Sequence, residues 1–470
     1  MLQIPTHPRF LKGQAPKANA AEPLRSSAAP QPGNTCLKAI GHSAWRRLFL
    51  SGIIFVLSYC WRGTVIASDR LGMLGIGDLG ISNRSAPSSE YNQAGRQTNL
   101  NGQFVLLGSL RITDSLRAYY EGRIFQVEGL AGSQPRIQET GGWPLLQGYL
   151  RYTLKPSWNL NVQAGRFGSP FGQWLSRNYA DRNPLAGFPL IYSYRTSLNS
   201  AVVPRNIEDI FYYREISPIP GSSLYGTRSS WLPLVDFAYP VGVMLSGNST
   251  KLDYRIALVN SSISNPLTIN QPGQRLQWVG GAGWAIFPGM RLGASLAEGP
   301  YLDGSTSANL PTGKSLRDYA QRALNLEFEY ALHHLEAYAE FLFTDFQVPN
   351  VPHRLGAKGY YVELKHTWHP RFFTALRWNQ VLFSPAAHSG YPTYAAPGPD
   401  FHSLSAEERW AYNTNSLEAG LGFRLNRSLL LKSSYQWNRT VDEEDPRDNL
   451  VSIQLVYSFD GKEFINFFRK

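Results

Sequence analysis

The sequence Leu-Glu-Ala-Tyr-Ala-Glu-Phe-Leu-Phe at residues 335–343 alternates between two kinds of side chain. Every odd-numbered residue is apolar, whereas Glu336 and Glu340 belong to the even-numbered set. Successive side chains of a β-strand point to opposite faces, so this period of two predicts a strand with one apolar and one polar face. The predicted strand runs to residue 347. That length exceeds the ~5–6 residues of an average strand and suits the ~9–11 that a tilted strand needs to cross a bilayer.

The same period returns along most of the chain and predicts sixteen strands. Fifteen stretches show it clearly, and a glycine-rich stretch is the sixteenth. The predicted strands are 71–82, 98–112, 116–124, 145–154, 158–166, 233–246, 251–260, 276–287, 290–300, 322–333, 335–347, 358–369, 371–383, 415–425, 428–439 and 449–459.

The connections between these strands alternate in length. Seven short turns interleave with eight longer loops, of which 167–232 is the longest. A barrel in a bacterial outer membrane has short periplasmic turns on one rim and long extracellular loops on the other. A soluble β-sandwich, the competing all-β fold, has no reason to sort its connections in this way. The sequence therefore predicts an all-β chain that forms a single transmembrane antiparallel β-barrel of about sixteen strands.

Residues 45–67 have the features of a secretory signal peptide. Arg46 and Arg47 precede an apolar run from Leu48 to Tyr59, and the segment ends on Ala67. A positive flank, an apolar core and a small residue at the cleavage point are what signal peptidase recognises. We therefore expect residues 68–470 to form the barrel. Residues 1–44 are rich in proline, alanine and serine, and they are either a disordered extension or the product of a start codon assigned too early.

The basic character of the chain is concentrated in this leader. The whole chain has 45 basic and 34 acidic residues and a net charge of +11. Residues 1–67 hold eight of the basic residues and one acid, which leaves 37 and 33, a net charge of +4, for residues 68–470. Cys36 and Cys60 also lie in the leader. No nucleic-acid partner, disulfide framework or cysteine-bound metal is therefore expected.

Residues 164–172, Ala-Gly-Arg-Phe-Gly-Ser-Pro-Phe-Gly, resemble a motif of the phosphate-selective porin O and P family. That family has Gly-x-Phe-Lys-x-Pro-Phe-Gly, and Gly168 stands where the lysine is usual. The resemblance extends loosely to the signal peptide, the mature length and the strand rhythm. It implies a sixteen-stranded diffusion channel that assembles as a homotrimer. It does not carry over phosphate selectivity, because the family's arginine and lysine pore residues cannot be placed on this chain.

Charged residues on the polar faces of the strands are the candidate pore-lining residues. The early strands carry mainly arginine there, and the strands from 322 to 365 carry mainly glutamate. In a closed barrel the two sets lie on roughly opposite walls and set up a field across the lumen, although charges also solvate any wet surface. The candidates are Arg111, Arg117, Arg123, Arg151 and Arg166 on the basic wall and Glu327, Glu329, Glu336, Glu340 and Glu363 on the acidic wall.

The loop 167–232 is expected to fold into the lumen and narrow it, because a loop of this length rarely remains wholly outside. An alternative places Ile207–Tyr213 in an additional hairpin, which gives eighteen strands. The candidate residues for the constriction are Arg177, Arg182, Arg195, Arg205 and Arg214.

These features predict an outer-membrane porin, a passive channel for small polar or anionic solutes, surrounded by outer-membrane lipid and lipopolysaccharide and needing no cofactor. The alternatives are a barrel enzyme of the outer-membrane lipase or protease type and a plugged structural barrel. Neither a Gly-x-Ser-x-Gly nor an HExxH motif occurs; these motifs mark common hydrolase sites. Four histidines at two short turns are interpreted as solvated residues rather than a metal site: His333, His334, His366 and His369.

We predict that the mature protein begins at Ser68, because Val65 and Ala67 occupy the positions that signal peptidase reads. N-terminal sequencing of the protein purified from outer membranes measures this directly. Recovery of a chain that retains residues 1–44 would contradict the assignment of the leader.

Overall fold

A computed structural model describes residues 70–85, 96–130, 136–137, 145–216, 231–236, 239–265, 276–387, 407–441 and 447–460. These residues form a closed barrel of sixteen antiparallel strands, as the sequence predicts. The expected extension and signal peptide, residues 1–67, lie outside the described ranges. The barrel strands are β1 (Leu71–Ser85), β2 (Arg96–Arg111), β3 (Leu116–Leu130), β4 (Leu145–Lys155), β5 (Leu160–Arg166), β6 (Val241–Asn248), β7 (Leu252–Val259), β8 (Gln277–Phe287), β9 (Met290–Pro300), β10 (Ala320–Leu332), β11 (Leu335–Phe346), β12 (Leu355–His369), β13 (Phe372–Phe383), β14 (Thr414–Arg424), β15 (Leu429–Thr440) and β16 (Arg447–Asp460).

The barrel closes because the first strand pairs with the last. Ile76 of β1 lies opposite Val105 of β2 on one side and Ser458 of β16 on the other. Every other barrel strand pairs with its neighbours in chain order, and a two-residue segment, Arg136–Ile137, extends the long-loop end of β3. The connections alternate between short and long around the ring. This confirms the predicted arrangement of short turns on one rim and long loops on the other.

The eighteen-strand alternative is wrong. Residues Ile207–Ile216 form a helix instead of a hairpin. Ile207, Ile210 and Phe211 are buried within the long loop. Their spacing of three and four residues places them on one helical face, so the period near 3.6 prevails over the apparent strand pattern.

The predicted strand 233–246 is wrong at its start. The wall strand β6 begins at Val241, and Trp231–Pro233 pairs with Arg195–Asn199 inside the loop. Pro240 immediately precedes β6. Proline has no N–H to give to a strand ladder, which explains why the wall pairing starts only after it.

The outer face of the barrel is apolar. In β11 the exposed fractions are 39% for Leu335, 40% for Phe341 and 42% for Phe343, as the alternation predicts. Ala337 and Ala339 share this face but are covered by larger cross-strand neighbours such as Tyr330 and Phe328. Rows of exposed large apolar side chains on a closed antiparallel barrel are the architecture of a bacterial outer-membrane protein. Within the described ranges, no helix has the length and apolar character that a bilayer crossing needs.

The barrel strands are shortest where the long loop leaves the wall. Strands β5, β6 and β7 contain 7, 8 and 8 residues, whereas β10 to β13 contain between 12 and 15. The chain leaves β5 after Arg166 and turns inward, where Gly165 and Gly172 have φ angles of +132° and +67°. A Cβ atom at Gly172 would lie 2.5 Å from the hydroxyl of Tyr192. The glycine is therefore required for this entry into the lumen.

We predict that Ile453→Arg destabilises the barrel by roughly 2–4 kcal/mol, because a charge at the bilayer midplane loses its hydration. Ile453 lies in the middle of β16 and is 54% exposed on the outer face. The matched change Leu332→Arg, at the last residue of β10, should cost only about 0–1 kcal/mol because it lies at the membrane interface. Denaturant unfolding in lipid vesicles measures both values. Equal losses of stability for the two variants would show that Ile453 does not lie deeper in the bilayer than Leu332.

Candidate functional site

The described part of the long loop between β5 and β6 contacts inward-facing side chains of the barrel wall. Its helices are α1 (Leu190–Ser193) and α2 (Ile207–Ile216), and its aromatic side chains Phe167, Phe171 and Trp174 are almost fully buried. The loop is therefore a packed element inside the barrel. Its contacts with the wall define which part of the lumen remains free.

Glu340 of β11 is the first anchor of the loop. One of its carboxylate oxygens accepts hydrogen bonds from the backbone N–H groups of Gln173 and Trp174, both at 3.0 Å. The other accepts one from the hydroxyl of Tyr192 at 2.6 Å. Glu340 is only 1% exposed. The loop thus supplies the donors that a buried carboxylate needs.

Glu327 of β10 is the second anchor. Its carboxylate contacts Arg255 at 2.8 Å and Arg291 at 3.0 Å, and it accepts a hydrogen bond from the Gln173 side chain at 2.9 Å. Arg255 also donates to the backbone oxygen of Gly172 at 3.1 Å. Two wall arginines therefore neutralise this acid, and one of them, Arg255, also binds the loop.

Arg377 of β13 joins two buried acids to the loop. Its guanidinium contacts Glu363 at 2.6 Å and Glu418 at 3.2 Å, and it donates to Asn183 at 2.8 Å. Arg377 has no exposed surface. Arg177 of the loop forms a second ion pair with Glu363. A buried charge cluster of this kind is stable only when every member has partners, and here the loop provides several of them.

Lys432 of β15 holds the tip of the loop. Its ammonium group donates to three loop carbonyls, those of Ala180, Asn183 and Leu185, at 2.8, 2.9 and 3.1 Å. Ala180 packs in a buried apolar cluster with Phe373, the second residue of β13. That residue adjoins a short turn, so the loop reaches through the lumen to the short-turn rim.

The acids predicted to line the pore face inward, but the loop covers three of them. Glu327, Glu340 and Glu363 are buried in the contacts described above. Glu336 and Glu329 keep side-chain exposures of 33% and 36%. Glu336 pairs with Lys365 at 2.6 Å, and Glu329 lies 3.3 Å from Arg291. The acidic wall therefore presents little uncompensated charge to solvent.

The basic wall is arranged differently. Arg111 of β2 lies opposite Arg117 of β3, and Arg117 lies opposite Arg151 of β4. The three arginines thus form one cross-strand row, which we call the arginine row. Arg117 is exposed, and Arg111 and Arg151 are half-buried. Among the described residues none of the three has a carboxylate partner; Arg151 donates to the side-chain oxygen of Gln163 at 3.1 Å and lies 4.8 Å above the Tyr119 ring.

Glu121 of β3 is a buried acid on the basic wall, and the loop covers it. Its carboxylate accepts a hydrogen bond from the Tyr179 hydroxyl at 2.7 Å and another from Gln147. Burial raises the pKa of the Tyr179 phenol, which keeps it a donor. Arg123 and Arg182 lie within electrostatic range of Glu121. The region between the loop and the basic wall is therefore positive.

A pocket of about 330 Å³ lies in this region. It runs along the inner face of β1 to β4 and is lined by Leu107, Ser109, Tyr119 and Tyr149, among others. The pocket adjoins the arginine row through Tyr119 and Tyr149, which both pack near the Arg151 guanidinium.

The remaining sequence candidates do not reach this region. Arg166 lies opposite Val241 in the strand register, so it is on the face of the barrel where Val241 is exposed. Its guanidinium donates to the backbone oxygens of Leu145 and Tyr239. Three of the predicted loop arginines form ion pairs within the loop or between loops: Arg195 with Asp236, Arg205 with Asp209 and Arg214 with Glu408. Of the five loop arginines, Arg177 and Arg182 lie deepest in the lumen.

Several wall residues that hold the loop, or that pair with an acid holding it, were not singled out from the sequence. Arg255, Arg291 and Arg377 follow the same period-two alternation that placed the predicted acids inward. That alternation would have identified them. Lys432 could be placed inward by the same rule, but its partners are backbone carbonyls and leave no trace in the pattern of side chains.

The turn histidines lie at the short-turn rim. The rings of His334 and His366 are 6.4 Å apart, and the His366 ring is 4.2 Å from that of Trp368. Within the described ranges, no group of three or more side chains is arranged to hold a metal ion.

Comparison with known protein families finds no match, and no curated protein matches the sequence. The chain is similar in structure to the anion-selective porin from Comamonas acidovorans, with 9% identity, a TM-score of 0.49 and coverage of 83% of this chain and 99% of that chain. OmpF of Salmonella typhi in complex with Daunomycin is 11% identical, with a TM-score of 0.49 and coverage of 83% and 97%. The outer membrane channel DcaP of Acinetobacter baumannii is 10% identical, with a TM-score of 0.48 and coverage of 83% and 96%. A proposal about function therefore rests on the geometry of the lumen and not on these similarities.

We predict that Lys432→Met releases the tip of the loop, because three carbonyls lose their only charged donor while the side-chain volume is nearly kept. The reporter is Ala180→Cys, at a position that is 6% exposed. Both native cysteines precede residue 68, so a chain cleaved at the predicted site offers no competing thiol. A small maleimide should label Ala180→Cys at least tenfold faster when Lys432→Met is also present.

The matched control is Lys365→Met, which removes a wall lysine that pairs with Glu336 and not with the loop. It should leave the labelling rate of Ala180→Cys unchanged. Equal labelling in all three backgrounds would show that Lys432 does not hold the loop.

Proposed function

We propose that the protein is a passive channel of the bacterial outer membrane for small polar solutes, with a mild preference for anions. Solutes pass between the loop and the basic wall, along the arginine row. This passage is narrow, because the loop occupies the rest of the lumen.

The observation that carries the proposal is the register of the arginine row. Arg111, Arg117 and Arg151 are direct cross-strand neighbours on the inner face. Like charges in this position repel one another and destabilise a sheet. The repulsion is relieved when an anion lies between them, because guanidinium groups bind carboxylates and phosphates in a planar, bidentate way. A site that is stabilised by anions and open to water favours their entry.

The opposite wall supports the same direction of selectivity. Glu327, Glu340 and Glu363 are paired with wall arginines or bound by the loop, so they offer little attraction to cations. Permeating ions therefore meet mainly positive charge. The sequence predicts a field between a basic and an acidic wall. In the proposed channel, only the basic wall presents its charge to permeating ions.

A plugged structural barrel is the second candidate, and the extent of the loop contacts favours it. Lys432 and Arg377 bind the loop tip near the short-turn rim. The pocket beside Tyr119 and the exposure of Arg117 favour an open passage instead. Single-channel conductance in planar bilayers separates the two, since a plugged barrel passes no current.

A barrel enzyme needs a nucleophile or a water activated by histidine and an acid. The described histidines lie at the short-turn rim, apart from His353 in a long connection. This arrangement gives no specific support to a hydrolase. An open barrel without hydrolytic activity in lipid and peptide assays would favour the channel.

The resemblance to the phosphate-selective porin O and P family gains a structural context. Residues 164–172, which carry the resemblance, lie where the chain leaves β5 and turns inward. The two glycines with positive φ angles, Gly165 and Gly172, belong to this segment. Membership of that family and assembly as a homotrimer remain part of the proposal, together with lipopolysaccharide around the barrel.

We predict that replacing Arg117, Arg123 and Arg151 together by serine shifts the reversal potential in a salt gradient toward cation preference. The shift should be largest at low salt, since the screening length falls from about 10 Å at 0.1 M to about 3 Å at 1 M ionic strength. Planar bilayer recordings under a tenfold gradient of potassium chloride measure it.

The single changes Arg117→Ser and Arg205→Ser form a matched pair for this experiment. Arg205 is 61% exposed, lies in the loop and is paired with Asp209. Arg117→Ser should lower anion preference, and Arg205→Ser should leave it unchanged. A conducting channel whose reversal potential ignores all the arginine changes would exclude a passage along the arginine row. Substitution of Glu327 or Glu340 is unsuitable as a test of selectivity, because both hold the loop.

A further inference from the structure

A groove of about 750 Å³ lies outside the barrel, on the outer face of β8 to β13 near the long-loop rim. Its floor lies on the outer face, because Phe343 is 42% exposed and is in register with Leu324 and Lys358. The lining combines apolar and charged side chains, of which the argument uses Leu324, Phe343, Leu382, Arg322, Lys358 and Arg409.

One cross-strand row forms the floor of the groove. Leu324 of β10 lies opposite Phe343 of β11, Phe343 lies opposite Lys358 of β12, and Lys358 lies opposite Leu382 of β13. Phe343 is 42% exposed, and so this row is on the outer face. A lysine therefore stands in an otherwise apolar row that faces lipid.

Lys358 has no compensating charge in the part of the chain that the structure describes. It is exposed and forms no ion pair or hydrogen bond there. It lies three residues from the start of β12, near the rim. A long lysine side chain at this depth directs its ammonium toward the headgroup level.

Further basic side chains lie around Lys358. Arg322 is 54% exposed and is 3.4 Å from Glu298, and Arg354 pairs with Asp345. Arg409 is exposed and donates to the backbone oxygen of Phe383 at 2.8 Å. The four cations Lys358, Arg322, Arg354 and Arg409 thus face two carboxylates, those of Glu298 and Asp345. The groove has an excess of positive charge above an apolar floor.

We infer that this groove binds a phosphorylated glycolipid of the outer leaflet, with one phosphate group against Lys358 and Arg322 and an acyl chain along Leu324, Phe343 and Leu382. The combination fits an amphiphile, because the charged groups lie at the rim and the exposed apolar pair Leu326 and Phe341 follows on the same face, two residues further from the rim. Basic residues at a membrane surface each contribute to the binding of anionic lipids. The inference rests on the proposed outer-membrane location and assigns a binding site to the lipopolysaccharide proposed around the barrel; it does not depend on conduction.

The test measures binding of a bisphosphorylated lipid A to the purified full-length protein in detergent by native mass spectrometry. We expect one tightly held lipid A per chain beyond the loosely bound detergent and lipid. The double variant Lys358→Gln with Arg322→Gln should weaken this binding at least tenfold. The control Lys251→Gln removes an exposed lysine at the opposite rim and should leave the affinity unchanged.

Two further ligands identify the chemistry that the groove recognises. Lipid A without its phosphates should bind at least tenfold more weakly than the bisphosphorylated form. Inorganic phosphate alone should not compete at millimolar concentration, because it lacks the acyl chains. Competition by free phosphate would overturn the assignment to a lipid, and equal binding of both forms of lipid A would overturn the role of the cations.

Folding is checked by heat-modifiable migration of each variant on a gel. Lys358→Gln alone removes no contact within the described structure, so it keeps the test valid if the double variant fails to fold. An unchanged affinity in a folded Lys358→Gln protein would refute the inference. Loss of lipid A binding with unchanged conductance would support it and leave the channel proposal intact.

Discussion

The pairing of β1 with β16 is the constraint on which the rest of the structure depends. In the hydrocarbon of a bilayer, an open sheet edge would leave N–H and C=O groups without partners, at several kcal/mol each. Closure removes both edges at once. It also divides every strand into an outer face that contacts lipid and an inner face that must be solvated or paired. The location of each charged residue follows from this division.

The inner face resolves that requirement in two ways. On the side of β10 to β15, charges such as Arg377 and Lys432 are buried, and the loop supplies the hydrogen bonds that water would otherwise give. On the side of β2 to β4, the loop contacts Glu121, Gln147 and Tyr149, and among the described residues the arginine row has no carboxylate partner. The loop thus supplies hydrogen bonds to the buried charges of one wall, and in the proposed channel it bounds the passage along the other.

The barrel could be predicted from the sequence because its signal is local. Period-two alternation and turn length are properties of neighbouring residues, and they placed the ends of most strands within a few positions. The interior of the loop could not be predicted in the same way. Ile207–Tyr213 satisfies a strand pattern and a helical pattern, and only packing decides between them. The partners of Arg177 and Tyr192 come from strands that lie more than a hundred residues away in the chain.

The docking of the loop tip also determines the order in which the molecule can be assembled. Lys432 and Ala180 are separated by 252 residues, and Arg377, a second cation at the tip, is 194 residues from its partner Asn183. Contacts of such long sequence separation form late, because the intervening chain must be ordered first. The loop therefore reaches its final position only when β15 is in place, which is the step before the ring closes. Before that step the nascent chain carries an undocked segment whose buried aromatic residues need protection from aggregation, so the assembly machinery of the membrane has to accommodate the loop as well as the strands.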